Sequence, residues 1–286
     1  MTGKLILCAT PIGNLGDITG RVLDALKEAD VIAAEDTRNT IKLLNHFEIK
    51  TPMTSYHEFN KIDKGHALVA SMLAGKTVAL VTDAGTPGIS DPGEELVKFC
   101  HEAGVPVTSL PGPAACITAL TMSGRVTRRF CFEGFLPMDK KERAAALERL
   151  KNDTRTTIFY EAPHRLLKTL KAFNDVIGNR PLTICKELTK KHETVWLTTL
   201  EEAIAHYEIE APRGEYVLIF EGEDPETLKA QEIAAWDQMT IGAHVKMYMA
   251  SGSSKKDAMK LAATDRGMTK REVYQFLLEH PEELDD

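Results

Sequence analysis

The sequence predicts an α/β protein with two α/β domains followed by a small helical domain. Over the first 123 of its 286 residues, short apolar runs alternate with amphipathic helical patterns. From about residue 228 onward, only helical patterns remain. Regular alternation of strands and helices is typical of a parallel, doubly wound sheet with helices on both faces. We therefore expect three domains, at 1–123, 124–227 and 228–286.

The first domain contains the clearest alternation. Its predicted strands are 4–10, 31–34, 78–81 and 105–110. Its predicted helices are 20–29, 40–47, 61–73, 93–102 and one that starts at Ala114. Ligands of such sheets bind outside the carboxyl ends of the strands, so a site is expected in the loops that follow the strands.

The second and third domains have different patterns. In the second domain, strand-like segments lie at 130–135, 156–162, 182–188, 194–199 and 216–222, with helices at 140–151, 165–177 and 200–207. This mixture predicts a second α/β domain with a mixed sheet. The third domain begins with a helix at 228–238 and ends with two short helices joined by DRGMT, a spacing typical of a helix-turn-helix unit.

Composition excludes several classes of protein. No apolar run approaches the roughly 20 residues that span a bilayer, so we expect no membrane partner. The five cysteines are odd in number and lie at least 15 residues apart, which fits neither a disulfide framework nor a zinc site. We therefore predict no metal ion and interpret the cysteines as buried thiols of a cytoplasmic protein.

The net charge of −7 argues against a uniformly basic nucleic-acid binder, but the charge is unevenly distributed. Residues 125–151 carry eight Lys and Arg against four Asp and Glu, and residues 240–274 carry seven against three. Blocks of this kind neutralise phosphates in nucleic-acid-binding proteins. An ordinary solvated helix face explains either block alone equally well.

The loop TDAGTPGISDPG at 82–93 is the most unusual segment of the first domain. Asp83 follows the predicted strand directly, Gly85 and Gly88 permit positive φ, and two prolines stiffen the path. Because proline has no N–H group, the loop is poor in hydrogen-bond donors and rich in acceptors. It therefore suits an adenosyl group and a cationic ligand better than a polyphosphate, although a rigid structural connection is the alternative.

Two other nucleotide signatures are weaker. The triplet at 75–77 resembles the end of a Walker A loop, but it precedes a strand, whereas a phosphate-binding loop must follow one. The first loop, TPIGNLGD, lacks the G-x-G-x-x-G spacing of a dinucleotide site and has Pro11 where backbone amides are needed. Neither motif therefore predicts a phosphate site.

Eight motifs that occur in order along nearly the whole chain resemble one known family. They are TPIGNLGDIT (10–19), AAEDTRNT (33–40), TDAGTPGISDPG (82–93), LPGPAACITAL (110–120), FEGFLP (132–137), FYEAPHR (159–165), KELTKKHET (186–194) and RGEYVLIFEG (213–222). Together they resemble the ribosomal RNA small subunit methyltransferase I family of the tetrapyrrole methylase superfamily.

This resemblance implies a fold, an activity and partners. The implied fold is the two-domain tetrapyrrole methylase (class III methyltransferase) fold, with the cofactor S-adenosyl-L-methionine in the cleft between the α/β domains. The implied activity is methylation of the ribose 2′-oxygen of a cytidine in the decoding centre of 16S rRNA. The partners would be 16S rRNA or the small ribosomal subunit, and a second copy of the chain in a cytoplasmic homodimer.

The motifs also imply which residues contact the cofactor. These residues lie in the first loop, in the 82–93 loop, after LPGP and at strand ends of the second domain. They are Pro11, Asp83, Gly85, Thr86, Ile89, Ala114, Ala115, Tyr160, Leu188 and Gly214.

Candidates for catalysis are polar residues in the loops that follow strands. A ribose hydroxyl is a weak nucleophile at neutral pH, so a base or a cation near the forming alkoxide would help. The candidates are Glu35, Asp36, Arg38, His57 and Glu187. We expect the 35–38 loop to face the substrate ribose, although Asp36 fits a helix N-cap equally well and His57 fits an ordinary hydrogen-bonded histidine. The sequence does not single out one base.

Basic residues at two places are candidates for RNA contacts. Arg38 and Arg165 are suited to clamp phosphate, although a surface helix position explains Arg165 equally well. The predicted helix-turn-helix unit carries Lys255, Lys256, Lys260, Lys270 and Arg271. A dimerisation or packing role is the alternative for that unit.

Two other functions stay open on the sequence alone. One is a methylase of the same superfamily that acts on a tetrapyrrole or another small molecule. The other is an RNA-binding assembly factor without catalysis. The helical domain favours RNA over a small molecule, and the complete 82–93 and LPGPAA loops favour an enzyme.

Overall fold

A computed structural model describes residues 2–284, without the side chains of residues 231, 232 and 237. Residue 1 of the predicted first domain and residues 285–286 of the predicted third domain lie outside the described residues. The chain divides into two compact units: the larger contains the chain up to Lys151 together with Arg155–Glu221, and the smaller contains Asn152–Thr154 and the chain from Gly222 onward. The predicted domains stay a prediction: the larger unit contains residues on both sides of the boundary at 123/124, and the smaller unit also contains residues 152–154 and 222–227 of the predicted second domain.

The first sheet of the larger unit is a parallel, doubly wound sheet, as predicted. Its strands lie in the order β3-β2-β4-β1-β5, and every pair is parallel. They are β1 (Leu5–Cys8), β2 (Val31–Ala34), β3 (Met53–Ser55), β4 (Val78–Val81) and β5 (Val107–Leu110). The sequence analysis did not predict β3, which has only three, half-buried residues.

Helices cover both faces of this sheet. They are α1 (Gly20–Glu28), α2 (Thr37–His46), α3 (Lys61–Leu73) and α4 (Gly93–Glu102), and a further helix, α5 (Ala115–Met122), follows β5. Alternate residues of β1 point to opposite faces, so Ile6 packs with α1 and α2 while Leu5 packs with α3 and α4. Helix α2 begins three residues earlier than predicted because the Asp36 side chain accepts a hydrogen bond from the Arg38 N–H and caps the helix.

The second sheet is mixed, also as predicted. Its order is β6-β7-β10-β8-β9; β6 and β7 are parallel, and the other pairs are antiparallel. The strands are β6 (Phe130–Phe135), β7 (Thr156–Glu161), β8 (Pro181–Lys186), β9 (Thr194–Thr199) and β10 (Tyr216–Phe220). The helices are α6 (Lys140–Asn152), α7 (Pro163–Ile177) and α8 (Leu200–Ile209).

Helix α5 joins the two sheets into one unit. It follows β5 of the first sheet, yet its buried residues Cys116, Ala119 and Leu120 pack against residues of the second sheet such as Ile158 and Val217. The opposite face of the second sheet packs against α6, α7 and α8. Helix α5, which follows the carboxyl end of β5, thus brings the first sheet into contact with the second.

The smaller unit is a helical domain with its own core. Its helices are α9 (Pro225–Asp237), α10 (Ile241–Ala250), α11 (Lys255–Asp265) and α12 (Lys270–Glu279). Val245, Ala262 and Val273 come together in its core from α10, α11 and α12. Helices α11 and α12 are joined by four residues that include Gly267 at φ +64°, in agreement with the predicted helix-turn-helix spacing. Within residues 2–284, none of the helices is both long and apolar enough to cross a bilayer.

Candidate active site

A cavity of about 310 Å³ lies where the carboxyl ends of the first sheet meet the second sheet. Its walls come from loops after β1, β4 and β5 and from β6, β7, β10 and the loop after β8. The lining residues are Ile12, Ala84, Gly85, Thr86, Ile89, Ala114, Ala115, Phe135, Tyr160, Glu161, Ala162, Pro163, Leu188, Glu215, Tyr216 and Val217. A mostly apolar cavity of this size with a few polar groups is typical of a small-molecule site.

The 82–93 loop forms one wall and is fixed by hydrogen bonds. Thr10 and Gly85 exchange two backbone hydrogen bonds, of 2.9 and 3.0 Å, and the Thr86 hydroxyl donates to the Pro113 carbonyl over 2.9 Å. Gly85 has φ +87°, and a Cβ there would lie 3.3 Å from Cγ2 of Ile12. The loop after β4 is therefore held against the loops after β1 and β5, in a conformation that favours glycine.

Asp91 forms hydrogen bonds near the carboxyl end of the same loop. Its carboxylate accepts hydrogen bonds from the N–H groups of Gly88, Ile89 and Gly93, at 2.9, 3.1 and 2.8 Å. Burial raises the pKa of Asp91, whereas these bonds act in the opposite direction. Asp91 therefore holds the loop and the start of α4 together.

Seven of the ten predicted cofactor residues line this single cavity: Gly85, Thr86, Ile89, Ala114, Ala115, Tyr160 and Leu188. Pro11 and Asp83 instead line a neighbouring cavity of about 350 Å³. Gly214 precedes Glu215, which lines the first cavity. Cofactor contact by any of the ten stays a prediction. Sequence reasoning missed Phe135, Pro163 and Tyr216, whose positions depend on the register of the second sheet.

The two carboxylates in the loop after β2, those of Glu35 and Asp36, have hydrogen-bond partners in the structure. The Glu35 carboxylate accepts a hydrogen bond from the Thr82 hydroxyl over 2.6 Å and one from the Asp83 N–H over 3.3 Å. Asp36 caps α2 and pairs with the exposed Arg38 guanidinium at 2.7 Å. Hydrogen bonds from Arg38 lower the pKa of Asp36 to about 2. The structure thus gives Glu35 contacts to the 82–93 loop and Asp36 contacts within its own loop, and their catalytic roles stay predictions.

Asp83 has a different electrostatic environment. Burial raises its pKa, and the nearby carboxylates Glu35 and Asp36 raise it further. A carboxylate with a raised pKa is a better proton acceptor than one with an ordinary pKa. Asp83 lines the neighbouring cavity and directly precedes Ala84 and Gly85, which line the candidate cofactor cavity.

Glu187 is held inside its own loop. Its Oε1 accepts hydrogen bonds from the Lys190 ammonium and from the Glu215 N–H, both at 2.9 Å. A Cβ at Gly214 would lie 2.6 Å from Cγ of Glu187, so this packing requires glycine at that position. These contacts give Glu187 a positioning role for Leu188 and Glu215, both of which line the cavity.

His57 and Asn60 form a local network after β3. The Asn60 side chain accepts a hydrogen bond from the His57 N–H over 2.9 Å and donates to the Ser55 hydroxyl over 3.3 Å. His57 Nδ1 is buried and has no hydrogen-bond partner within residues 2–284. Local contacts therefore leave one ring nitrogen of His57 without a hydrogen bond among the described residues. The catalytic role of His57 also stays a prediction.

The predicted RNA-contacting residues lie in both compact units. Arg38 is exposed, whereas Arg165 is half-buried, with its Nε 3.4 Å from the buried Glu161 carboxylate. In the smaller unit, the basic residues lie on the two helices of the helix-turn-helix pair, and all but Lys270 are largely exposed. They are Lys255, Lys256 and Lys260 on α11 and Lys270 and Arg271 on α12.

Comparison with known proteins agrees with this geometry. The family model of tetrapyrrole (corrin/porphyrin) methylases matches residues 4–204. The chain is 50% identical over 275 residues to ribosomal RNA small subunit methyltransferase I of Halalkalibacterium halodurans, covering 96% of this chain and 94% of that protein. The chain belongs to this family of tetrapyrrole methylases. The protein of the same name from Bacillus subtilis is 47% identical over 272 residues, covering 95% and 93% of the two chains.

A solved structure shows the same fold at much lower identity. A uroporphyrin-III C-methyltransferase from Thermus thermophilus, complexed with S-adenosylhomocysteine, matches with a TM-score of 0.55 at 18% identity, covering 77% of this chain and 98% of that one. Membership of the family confirms the predicted fold class and the predicted cofactor, S-adenosyl-L-methionine.

The cavity fits this cofactor. Gly85 has no side chain, and a Cβ at this position would contact Ile12 in the cavity wall. Apolar lining residues such as Ile89, Ala115 and Val217 suit an adenosine moiety. Glu161 and Glu215 also line the cavity, and each carboxylate is paired with a basic residue: Glu161 lies 3.4 Å from Arg165 and Glu215 lies 2.8 Å from Lys190. When bound, the cofactor supplies an activated methyl group on a sulfonium.

Proposed function

We propose that the protein methylates the ribose 2′-oxygen of a cytidine in the decoding centre of 16S rRNA, with S-adenosyl-L-methionine as methyl donor. The observation that carries this proposal is the 50% identity over 275 residues to a protein named ribosomal RNA small subunit methyltransferase I. The eight motifs, which resemble that family, supply the choice of cytidine and of the 2′-oxygen. The cavity at the carboxyl edge of the first sheet supports methyl transfer by the same chain.

The chemistry depends mainly on positioning. Methyl transfer is an in-line displacement, so the ribose oxygen must approach from the side opposite to the leaving sulfur at close range. The hydrogen bonds that fix Gly85 and Thr86 hold one wall of the cavity rigid before any ligand binds. Rigid walls lower the ordering cost of reaching the reactive geometry.

The ribose hydroxyl also has to lose its proton. Among the carboxylates near the loops after β2 and β4, the electrostatics favour Asp83 as the acceptor, since burial and the neighbouring Glu35 raise its pKa. Glu35 and Asp36 then act as positioning residues: Glu35 fixes Thr82 and the Asp83 N–H, and Asp36 fixes Arg38. The 35–38 loop would lie beside the substrate ribose in this arrangement.

RNA binding completes the proposal. The exposed basic residues on α11 and α12 provide a surface of the kind that contacts phosphates. We assign the smaller unit a role in holding ribosomal RNA or the small subunit, and we propose a cytoplasmic homodimer as the active form.

A tetrapyrrole substrate is the second candidate, because the solved uroporphyrin-III C-methyltransferase has the same fold. An identity of 18% supports a shared fold only. The rRNA-named relatives are much more similar and cover nearly the whole chain, which favours RNA. The same relatives also argue against an assembly factor without catalysis.

Small ribosomal subunits from cells that lack the gene provide the test. They are incubated with the purified protein and S-adenosyl-L-methionine labelled in the methyl group, and 2′-O-methylation is mapped along 16S rRNA by resistance to alkaline cleavage. We expect one new modified cytidine in the decoding centre. Labelling of uroporphyrinogen but not of rRNA, or no labelling of either, would contradict the proposal.

A further inference from the structure

A groove flanked by α6 and α7 carries an excess of positive charge. It has a volume of about 750 Å³ and is lined by Leu136 and Met138 after β6 and by residues of both helices. Its basic residues are Arg143, His164, Arg165, Lys168 and Lys171. Among its described lining residues, Asp175 is the single carboxylate. This concentration of positive charge contrasts with the net charge of −7 of the whole chain.

The groove adjoins the candidate cofactor cavity at two places. Phe135 lines the cavity while the next residue, Leu136, lines the groove. Likewise, Pro163 lines the cavity while His164 lines the groove. Because consecutive Cα atoms are only about 3.8 Å apart, the groove and the cavity share the chain segments at the end of β6 and at the start of α7.

The basic side chains are arranged along one helix face. His164, Lys168 and Lys171 are spaced i, i+4 and i+7 on α7, which places them in a row about 10 Å long. His164 and Lys168 are exposed, and the Lys171 ammonium is 2.6 Å from the Glu208 carboxylate. Arg143 comes from the other flanking helix, α6. Lys168 and Lys171 on one helix and Arg143 on the other place cationic side chains from two elements in the groove, which suits an extended polyanion better than a single phosphate.

Arg165 fixes the shape of the groove. Its guanidinium donates a hydrogen bond to the Leu136 carbonyl and lies 3.4 Å from the Glu161 carboxylate, which is fully buried. These contacts attach the chain after β6 to the start of α7. Arg165 is therefore a positioning residue for the groove, whereas Arg143 and Lys168 are the basic residues suited to contact a ligand directly.

We propose that this groove binds the sugar-phosphate backbone of the RNA strand that carries the methylated nucleotide, with Arg143 and Lys168 as its main phosphate contacts. The proposal rests on the proposed function, which makes RNA the methyl acceptor. Phosphate contacts fix the register of a nucleic acid without reading its sequence. Contacts made one residue away from the cavity wall would therefore determine which ribose reaches the cofactor.

The test compares two double variants of the full-length protein with the same change in net charge. Arg143→Gln/Lys168→Gln removes the two groove charges, and Lys27→Gln/Lys50→Gln removes two exposed lysines of the first sheet region as a control. Affinity for a single-stranded oligoribonucleotide is measured over a range of salt concentrations, together with KM for small ribosomal subunits. Calorimetric affinity for S-adenosyl-L-methionine and the thermal midpoint check that each variant is folded.

We expect the groove variant to lose about tenfold in RNA affinity and to reduce the salt slope by about 1.4, the value for two phosphate contacts on a single strand. The KM of the groove variant for small subunits should rise, while its affinity for the cofactor stays at the wild-type value. The control variant should keep the wild-type RNA affinity, salt slope and KM. Equal RNA affinity and equal slope in the two variants would overturn the proposal. Weaker binding to subunits with unchanged binding to the oligoribonucleotide would also overturn it, because the groove would then contact a ribosomal protein.

The outcome is separable from that of the proposed function. If the wild-type protein fails to methylate small subunits, the proposed function is wrong, whatever the variants do. The salt dependence of oligoribonucleotide binding still decides whether the groove contacts RNA phosphates.

Discussion

Thr10 and Gly85 form an antiparallel backbone bridge at the point where β1 and β4 end. The loops that follow these two parallel strands are therefore hydrogen-bonded to each other, with N···O distances of 2.9 and 3.0 Å between Thr10 and Gly85. The two loops contribute to two cavities: Ile12 and Gly85 line the candidate cofactor cavity, and Pro11 and Asp83 line its neighbour. Small changes in either loop should therefore alter the cofactor site directly.

Gly85→Ala tests the wall beside this bridge. Positive φ at a residue with a Cβ costs about 1–3 kcal/mol, and the new Cβ would lie 3.3 Å from Ile12, itself a lining residue. We expect the affinity for S-adenosyl-L-methionine to fall about tenfold, equivalent to about 1.4 kcal/mol, as measured by calorimetry. Gly104→Ala is the matched control, because Gly104 has φ +69° with no atom within 4 Å of its added Cβ. Equal cofactor affinity in the two variants would show that Gly85 has no special role.

Gly13→Ala tests how the loop after β8 is held against the first sheet. An added Cβ would lie 2.5 Å from Cγ of Lys190 and 2.9 Å from the Leu188 carbonyl oxygen. The lysine side chain can move, but the backbone at Leu188 must also shift, and Leu188 lines the cavity. We expect weaker cofactor binding in calorimetry with a small loss of stability. Gly20→Ala, where no atom lies within 4 Å of the added Cβ, should leave cofactor affinity unchanged.

Asp83→Asn tests the proton acceptor. The pKa of Asp83 is raised by burial and by Glu35, so its reactive carboxylate form is lost as the pH falls through a value above the ordinary range for Asp. The rate of methyl transfer should therefore rise with pH across that raised pKa in the wild type. We expect Asp83→Asn to lower kcat about 10²–10⁴-fold and to remove this pH dependence.

Asp36→Asn serves as the matched control for that prediction. The pKa of Asp36 is lowered to about 2 by hydrogen bonds from Arg38, so its titration falls outside the pH range in which the enzyme is assayed. This variant should keep a pH-dependent rate even if α2 becomes less stable, with the midpoint moved to lower pH because the Asp36 charge that helps to raise the pKa of Asp83 is gone. Loss of the pH dependence in Asp36→Asn but not in Asp83→Asn would reverse the assignment.

The sequence predicted those parts of the site that depend on local signals. Helix α3 and strand β4 were predicted with the observed bounds, because their periodicity and apolar runs are strong. The positive φ of Gly85 was predicted because glycine permits it, whereas the place of Gly85 among the cofactor residues came from the resemblance to the family. Strand β3 gave no such signal, since its three half-buried residues form no apolar run.

Other parts of the site depend on contacts between distant segments. Phe135 and Tyr216 lie on β6 and β10, and their place in the cavity wall depends on how distant strands pair in the second sheet, which no local pattern encodes. Asp36 and Glu187 were predicted from their loops as catalytic candidates. The structure adds what the pattern did not contain, namely the hydrogen bonds to Arg38 and to the Glu215 N–H that give them positioning roles.

His244 makes the stability of the smaller unit sensitive to pH. Its ring is fully buried, stacks with Trp236 and Tyr248, and accepts a hydrogen bond at Nδ1 from the Arg266 guanidinium over 3.0 Å. Burial lowers the pKa of His244, and the Arg266 charge lowers it further, whereas the Asp265 carboxylate 3.2 Å away opposes the shift. The unfolded unit thus binds a proton more readily than the folded one.

The free energy of unfolding of that unit should therefore be highest above the ordinary pKa of histidine, about 6.5, as far as His244 contributes to it. It should decrease as the pH falls below that value. Hydrogen exchange of the amides in α10 and α11 at several pH values measures this. His244→Phe keeps the stacked ring but removes the titration, so its protection factors should lose this pH dependence while stability above pH 6.5 falls, because Arg266 Nε loses its acceptor. His280→Gln, in the same unit, should retain the wild-type pH dependence. A wild-type unit whose protection is constant across this range would show that His244 does not bind its proton more weakly in the folded state.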